Sequence, residues 1–172
     1  MDILVIALGL LVLALILWGI SHWERRRLSL PSGRVIHIDT ARLRKPEGTL
    51  FSANYSLVGR PDYLINRGGR IIPIEVKSCA APVVPYPSHL HQLAAYGLLI
   101  REHFGQPPAC GILKYKDRAV EIPFTPRLLD ETVRLLEMMQ EDASAAAVDR
   151  SHEERNRCRA CGFRSVCDQR LP

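Results

Sequence analysis

The stretch RPDYLINRGGRIIPIEVKS, Arg60 to Ser78, carries an aspartate, a glutamate and a lysine at separations that two paired strands can bring together. Residues two apart on a strand share a face, so Glu75 and Lys77 point the same way and Val76 points into the other layer. Asp62, on the partner strand, can meet them. Two carboxylates and one backbone carbonyl, that of Val76, make the hard oxygen set that Mg²⁺ or Mn²⁺ prefers. The Lys77 ammonium can orient a water or stabilise charge on a phosphate. The plain alternative is a surface ion pair, since Glu-x-Lys is common on exposed strands. Yet IIPIEVKS is too apolar for a solvated strand, and a charged pair within it needs a reason.

Two further groups carry chemistry. In HLHQLAAYGLL, Gln92 and Tyr96 are four apart, so they stack on one helical face and can overlook the same cleft. Taken alone, that helix would make Tyr96 a core residue and Gln92 a surface amide. In CRACGFRSVC, Cys158, Cys161 and Cys167 are spaced C-x2-C-x5-C, three soft ligands suited to Zn²⁺ or an iron–sulfur cluster.

In this order and at these separations, Gly59-Arg60-Pro61-Asp62, Ile74-Glu75-Val76-Lys77 and Gln92-x-x-x-Tyr96 resemble the PD-(D/E)xK nucleases of the RecB type. The three C-terminal cysteines narrow the resemblance to the branch of CRISPR-associated exonucleases similar to RecB. It covers roughly Tyr55 to the C-terminus. The resemblance implies an α/β fold with a restriction-endonuclease-like core, a mixed sheet flanked by helices. It implies Asp62 and Glu75 as metal ligands, Lys77 as the residue assisting the attacking water, and Gln92 and Tyr96 as residues positioning the substrate strand. The implied reaction is in-line hydrolysis of a phosphodiester with Mg²⁺ or Mn²⁺. DNA that is single-stranded or has free ends is the expected substrate, because a small domain with one cleft has little means of encircling a duplex.

The cysteines depart from that pattern. In the branch resembled, a fourth cysteine upstream of the core completes a [4Fe–4S] cluster, and here no cysteine precedes Asp62. His152 is the first candidate to complete the set and Cys79 the second. A Cys3His set would favour Zn²⁺ over a cluster, so both cofactors stay open. A histidine near the active-site metal has a candidate in His37, which reads equally well as an ordinary strand residue. His89 and His91 read as surface residues or phosphate contacts.

The elements that must position these groups can be read from pattern. Ile3 to Ile20 is about eighteen residues without a charge, the length and composition of a transmembrane helix, with Trp18 and Trp23 near its end. Arg25, Arg26 and Arg27 follow, which predicts a single-pass inner-membrane protein with the C-terminal domain in the cytoplasm. A cleaved signal peptide fits less well, because the basic cluster lies after the apolar run. Asp2 apart, the 18 acidic and 23 basic side chains all lie beyond that run, a net charge of about +6 that favours an anionic partner, nucleic acid or lipid. In a reducing cytoplasm the five cysteines are read as ligands before disulfides.

The expected organisation is an anchor at 1–23, a basic linker at 24–33, a nuclease core at 34–150 and a cysteine-rich tail at 151–172. Within the core the pattern predicts β-β-β-α-β-β-α. RVIHID is a strand and ARLRKPEGTL an irregular link. YSLVGRPDYLI and RIIPIEVK flank a tight turn at Asn66-Arg67-Gly68-Gly69. Ser88 is the expected N-cap of a helix running to about His103. CGILKY and RAVEIPF form a second hairpin. A long helix from about Pro126 to Val148 turns Leu128, Leu129, Val133, Leu136 and Met139 to one face. Arg60, Arg67, Arg70, Lys114 and Lys116 are candidate phosphate contacts. A non-catalytic binding module on the same fold is the second class of function. It has no use for the intact set of Asp62, Glu75 and Lys77.

Overall fold

The computed structural model describes residues 9, 11–16, 33–36 and 43–172. They divide into two compact units, Met1–Arg134 and Leu135–Pro172.

The first unit is built around the hairpin that carries the acids. β4 (Tyr63–Arg67) and β5 (Arg70–Val76) pair antiparallel, with Arg67 opposite Arg70 and Tyr63 opposite Ile74. Gly68 and Gly69 close the turn at φ of 60° and 80°, where an L side chain is disfavoured, and Asn66 Oδ1 accepts the Gly69 N–H at 3.0 Å. β6 (Cys110–Lys114) lies parallel to β5, and β7 (Ala119–Pro123) and β1 (Arg34–Ile36) add antiparallel beyond it. The result is a five-stranded mixed sheet in the order β1-β7-β6-β5-β4.

A parallel pair needs a crossover, and α1 (Pro87–Phe104) supplies it between β5 and β6. Leu90, Leu93 and Ala94 of α1 pack with Leu113, Tyr115, Val120 and Ile122 of the sheet side and with Leu128 of α2 (Pro126–Ser144). Ile65, Ile72, Ile74, Ile112 and Ala119 form a second cluster. Pairing of Ile65 with Ile72, and of Ile74 with Ile112, puts these on the opposite sheet face by strand parity. β2 (Leu50–Ser52) and β3 (Leu57–Gly59) form a separate antiparallel pair, and Leu50 and Leu57 pack beside Leu99 and Ile100 of α1.

Several expectations need correction. The transmembrane helix is overturned: among the described residues no helix is long and apolar enough to cross a membrane. Of the apolar run, Gly9 and residues 11–16 are described, and they are helical. The rest of Ile3–Ile20, Trp18, Trp23, the basic residues 24–32 and His37 lie outside the described residues. The single-pass inner-membrane placement and the membrane as a partner fall with that helix, which leaves the mixed α/β core as the fold.

YSLVGRPDYLI is two strands, broken at Arg60 to Asp62, where Pro61 has no N–H to give a ladder. The link ARLRKPEGTL ends in β2. Tyr86 is the N-cap of α1 with Pro87 in the first turn, so Ser88 lies inside the helix, while Gly105 caps the other end in the left-handed region. α2 starts under Thr125, whose Oγ1 accepts the Leu128 N–H at 3.3 Å, and it stops at Ser144. Met139 is exposed rather than part of an apolar face.

The second unit continues from Leu135 to a short helix, α3 (Arg155–Arg159), and a looped tail. Arg150 ties it together. Its guanidinium donates to the His152 carbonyl at 2.6 Å, to Glu153 Oε1 at 2.6 Å and to the Gln169 carbonyl, and its N–H donates to Gln169 Oε1 at 2.7 Å.

Candidate active site

Asp62 sits one position before β4, opposite Glu75 in the register that pairs Tyr63 with Ile74. The parity of an antiparallel pair therefore puts both carboxylates on the α1 side of the sheet. Asp62 Oδ2 accepts the backbone N–H of Val76 at 2.8 Å, which fixes it at the mouth of the hairpin. Pro61 is buried behind it and Asp62 itself is exposed.

Glu75 is 7% exposed, the deepest acid of the described residues. A buried carboxylate needs donors, and it has two. Its Oε1 accepts from Lys77 Nζ at 3.0 Å and from Gln92 Nε2 at 2.8 Å. The same amide closes the circuit: Gln92 Oε1 accepts from Lys77 Nζ at 2.6 Å, and Nε2 donates to the Tyr96 hydroxyl at 3.1 Å. Four of the residues expected from the sequence thus form one network, with Asp62 at its edge. Helical spacing explains Gln92 and Tyr96, and strand spacing explains Glu75 and Lys77.

The electrostatics are those of a site short of positive charge. Burial raises the pKa of Glu75, Lys77 pulls it down through its hydrogen bond and charge, and Asp62 pushes it up again. Burial likewise raises Tyr96, its bond to Gln92 opposes this, and Glu75 and Asp62 add to the rise. Two neighbouring carboxylates, one of them buried, are hard oxygen donors of the kind a divalent cation prefers. Val76 turns to the opposite face but is 37% exposed, because β5 ends there. Among the described residues no three His, Cys, Asp or Glu side chains gather as metal ligands.

Gly59 gives the Gly-Arg-Pro-Asp motif a physical meaning. A Cβ there would stand 3.0 Å from both Tyr96 Cε1 and Leu99 Cδ1, so glycine lets β3 lie against α1 at the level of Tyr96 without either side chain having to give way. Of the other expected contacts, Arg67 is bound to Glu121 at 2.5 Å, and Arg60 donates to the Pro46 carbonyl at 3.3 Å. The sequence reading missed the settings of His89 and His91. His89 Nδ1 hydrogen-bonds the Tyr115 hydroxyl at 3.0 Å, and His91 Nδ1 the Thr132 hydroxyl at 2.9 Å. Burial first, and then the charge of Lys77, lower the pKa of His89, which puts it in the electrostatic reach of the site. Its three-residue spacing from Gln92 was the available signal.

In the tail, Cys158 is buried, and its Sγ accepts the Leu171 N–H at 3.2 Å. Cys161 is exposed and Cys167 half-buried. His152 Nδ1 accepts the Glu154 N–H at 3.2 Å. Glu153 holds Arg150 charged, and Cys158 and Cys167 add to that. All five cysteines are free thiols, Cys79 and Cys110 included.

A mixed sheet with acid, acid and lysine at the open end of one hairpin and glutamine and tyrosine on the crossover helix defines a nuclease class. The chain belongs to the PD-(D/E)XK nuclease superfamily, which it matches over residues 7–168. It is similar to the CRISPR-associated exonuclease Cas4 of Francisella tularensis subsp. novicida (strain U112), at 24% identity over 119 residues. That match takes in 69% of this chain and 60% of the relative, so the chain spans less than two thirds of the relative's length. Among solved structures, the crystal structure of SSO0001 covers 94% of this chain and 71% of that one, at 20% identity and a TM-score of 0.39. The RecB-like resemblance read from the motifs is borne out.

Proposed function

We propose that this nuclease is a metal-dependent deoxyribonuclease that hydrolyses phosphodiester bonds in single-stranded DNA or at free DNA ends, with its core at 34–150. The observation that carries this reading is the network of Glu75, Lys77, Gln92 and Tyr96 with Asp62 beside it. A protein that only binds nucleic acid gains nothing from burying a carboxylate whose charge its own surroundings oppose.

Nucleases of this superfamily generally use divalent metals. Asp62 and Glu75, with the Val76 carbonyl, would hold Mg²⁺ or Mn²⁺, and the exposure of Asp62 beside the buried Glu75 suits an ion entering from solvent. Such an ion would supply positive charge at the phosphodiester and acidify the attacking water. The chain's own residues do the rest. Lys77 has three donors, two of them used on Glu75 and Gln92, and the third is left for the attacking water or a phosphate oxygen. Gln92 holds Lys77 and Glu75 at a fixed separation, and Tyr96 steadies Gln92 and borders the path of the strand.

The tail at 151–172 is proposed as a structural site for Zn²⁺ or a [4Fe–4S] cluster through Cys158, Cys161, Cys167 and His152, side chains that stand apart here and that the bound group would draw together. Soft sulfur donors with a hydrogen bond already on one of them are the chemistry both would need.

The test is cleavage of end-labelled single-stranded and duplex DNA with Mg²⁺ or Mn²⁺, using the full chain prepared without oxygen beside Glu75→Ala and Lys77→Ala. Metal-dependent cutting by the parent protein, lost by at least a hundredfold in both variants, is expected. DNA binding without cutting by a folded parent protein would instead make the chain a non-catalytic binding module.

A further inference from the structure

Next to the network lies an apolar, aromatic surface that the reaction above leaves without a task. Val83 is 84% exposed and Tyr86 54%, with Val84 exposed between them. They stand on APVVPYP, whose prolines at 82, 85 and 87 restrict the backbone. The start of this loop is fastened from outside. Asp117 Oδ1 accepts the Ala81 N–H at 2.7 Å, and Arg118 donates to the carbonyls of Ala81 and Pro82 at 3.0 and 3.2 Å. The Lys116 N–H donates to the Cys79 carbonyl at 3.1 Å. An exposed surface held this stiffly loses little conformational entropy when a ligand docks on it.

Its place relative to the chemistry follows from contacts. The Tyr86 ring stands edge-on to His89 at 5.2 Å between centroids, and His89 in turn lies 5.8 Å from the ring of Tyr115. His89 is one helical turn before Gln92 on the same face of α1. Tyr86 therefore borders the network at the end away from Tyr96. Lys116 and Arg118 are exposed on the turn that fastens the start of this loop, where the Arg118 guanidinium serves the Ala81 and Pro82 carbonyls and Asp117 and Lys116 adds a second positive charge. Aromatic faces among cations are what proteins use to hold single-stranded nucleic acid, because every base has a face to stack and every phosphate a charge.

We propose that Tyr86 is the stacking platform for an unpaired nucleobase next to the phosphodiester being cut, and that the loop carrying it selects single strands. This rests on the deoxyribonuclease reading above. A paired base is already stacked on its neighbours and cannot lie on Tyr86 without leaving the duplex.

The experiment compares the full chain with Tyr86→Ala and Tyr86→Trp on a single-stranded oligonucleotide, intact or with one abasic position moved along it. Both cutting and binding, the latter by fluorescence anisotropy, are measured. Tyr86 makes no side-chain capping bond to α1, so its loss leaves the helix start intact. Tyr86→Ala is expected to raise KM and Kd on the intact strand by roughly 5- to 150-fold, while Tyr86→Trp retains wild-type values. One abasic position should impose the same penalty on the parent protein and abolish the difference between parent and Tyr86→Ala.

Equal KM and Kd for the parent and Tyr86→Ala on every substrate, with cutting intact, would overturn the platform and leave the nuclease reading standing. Tyr86-dependent binding without cutting would keep the platform and remove the reaction. Absence of binding and cutting by the parent would overturn both.

Discussion

Replacing Gly59 with alanine puts one methyl group between α1 and the strand that leads into Asp62. That methyl would stand 3.0 Å from Leu99 Cδ1, 3.0 Å from Tyr96 Cε1 and 3.4 Å from Tyr96 Cδ1, against ordinary carbon contacts of about 3.5–4.0 Å. The Leu99 methyl ends a flexible side chain and can turn aside. The Tyr96 ring has less freedom, because its hydroxyl is held by Gln92 Nε2 at 3.1 Å. Overpacking of this kind costs about 1–3 kcal/mol, and the smaller unfolded-state entropy of alanine offsets about 0.4–1 kcal/mol of it. A net loss of stability centred on about 1.3 kcal/mol, with an upper bound of about 2.6 kcal/mol, is expected. A ring moved by roughly half an ångström takes the Gln92 bond beyond hydrogen-bonding range, and the loss of one neutral hydrogen bond corresponds to about a twofold to tenfold fall in activity. Urea denaturation and single-turnover cleavage measure the two effects. The decisive comparison is in a Tyr96→Phe background, where the hydroxyl is already absent. There Gly59→Ala should still destabilise but should not slow cleavage further. Unchanged stability, or an equal further loss of activity in that background, would refute the coupling through Tyr96.

Glu75→Gln should stabilise the metal-free protein at pH 7.5, measured by Tm in chelator. Its raised pKa means the folded state prefers the protonated carboxyl, so this contribution is present at low pH and lost as pH rises through the raised value. Glutamine mimics the protonated form, and the gain over the parent should vanish by about pH 4. Cys158→Ser should remove at least half of the zinc or iron that co-purifies with the chain, by elemental analysis, and lower Tm. Unchanged metal content would count against the tail as a metal site.

The geometry of the hairpin was legible because two local rules agree there. Asn66 to Gly69 can only be a tight turn, and once the turn is placed, strand parity puts Asp62, Glu75 and Lys77 on one face. Gln92 and Tyr96 followed from helical spacing, but that Gln92 bridges Lys77 and Glu75 depends on how α1 docks, which spacing does not contain. β2 escaped notice because three residues after a Pro-Glu-Gly run carry too short a pattern to register. The break at Pro61 was hidden by apolar residues on both sides of it. Ser88 looked like a cap by residue type, yet Pro87 fits the first helical turn better and moves the start back. The apolar N-terminal run fitted a membrane span by composition alone, and among the described residues no helix is long and apolar enough to make one.

The two-glycine turn also sets an order of events in time. A hairpin closed by such a turn forms in about 1–10 μs, so Asp62 and Glu75 can meet while the rest of the chain is still searching. Gln92 and Tyr96 reach them only when α1 docks and β6 pairs parallel with β5, a closure across the whole crossover and therefore slower. Until then Glu75 and Asp62 face each other in water, where both ionise at little cost. The half of the site that repels itself thus forms first, and the half that holds it in place arrives last.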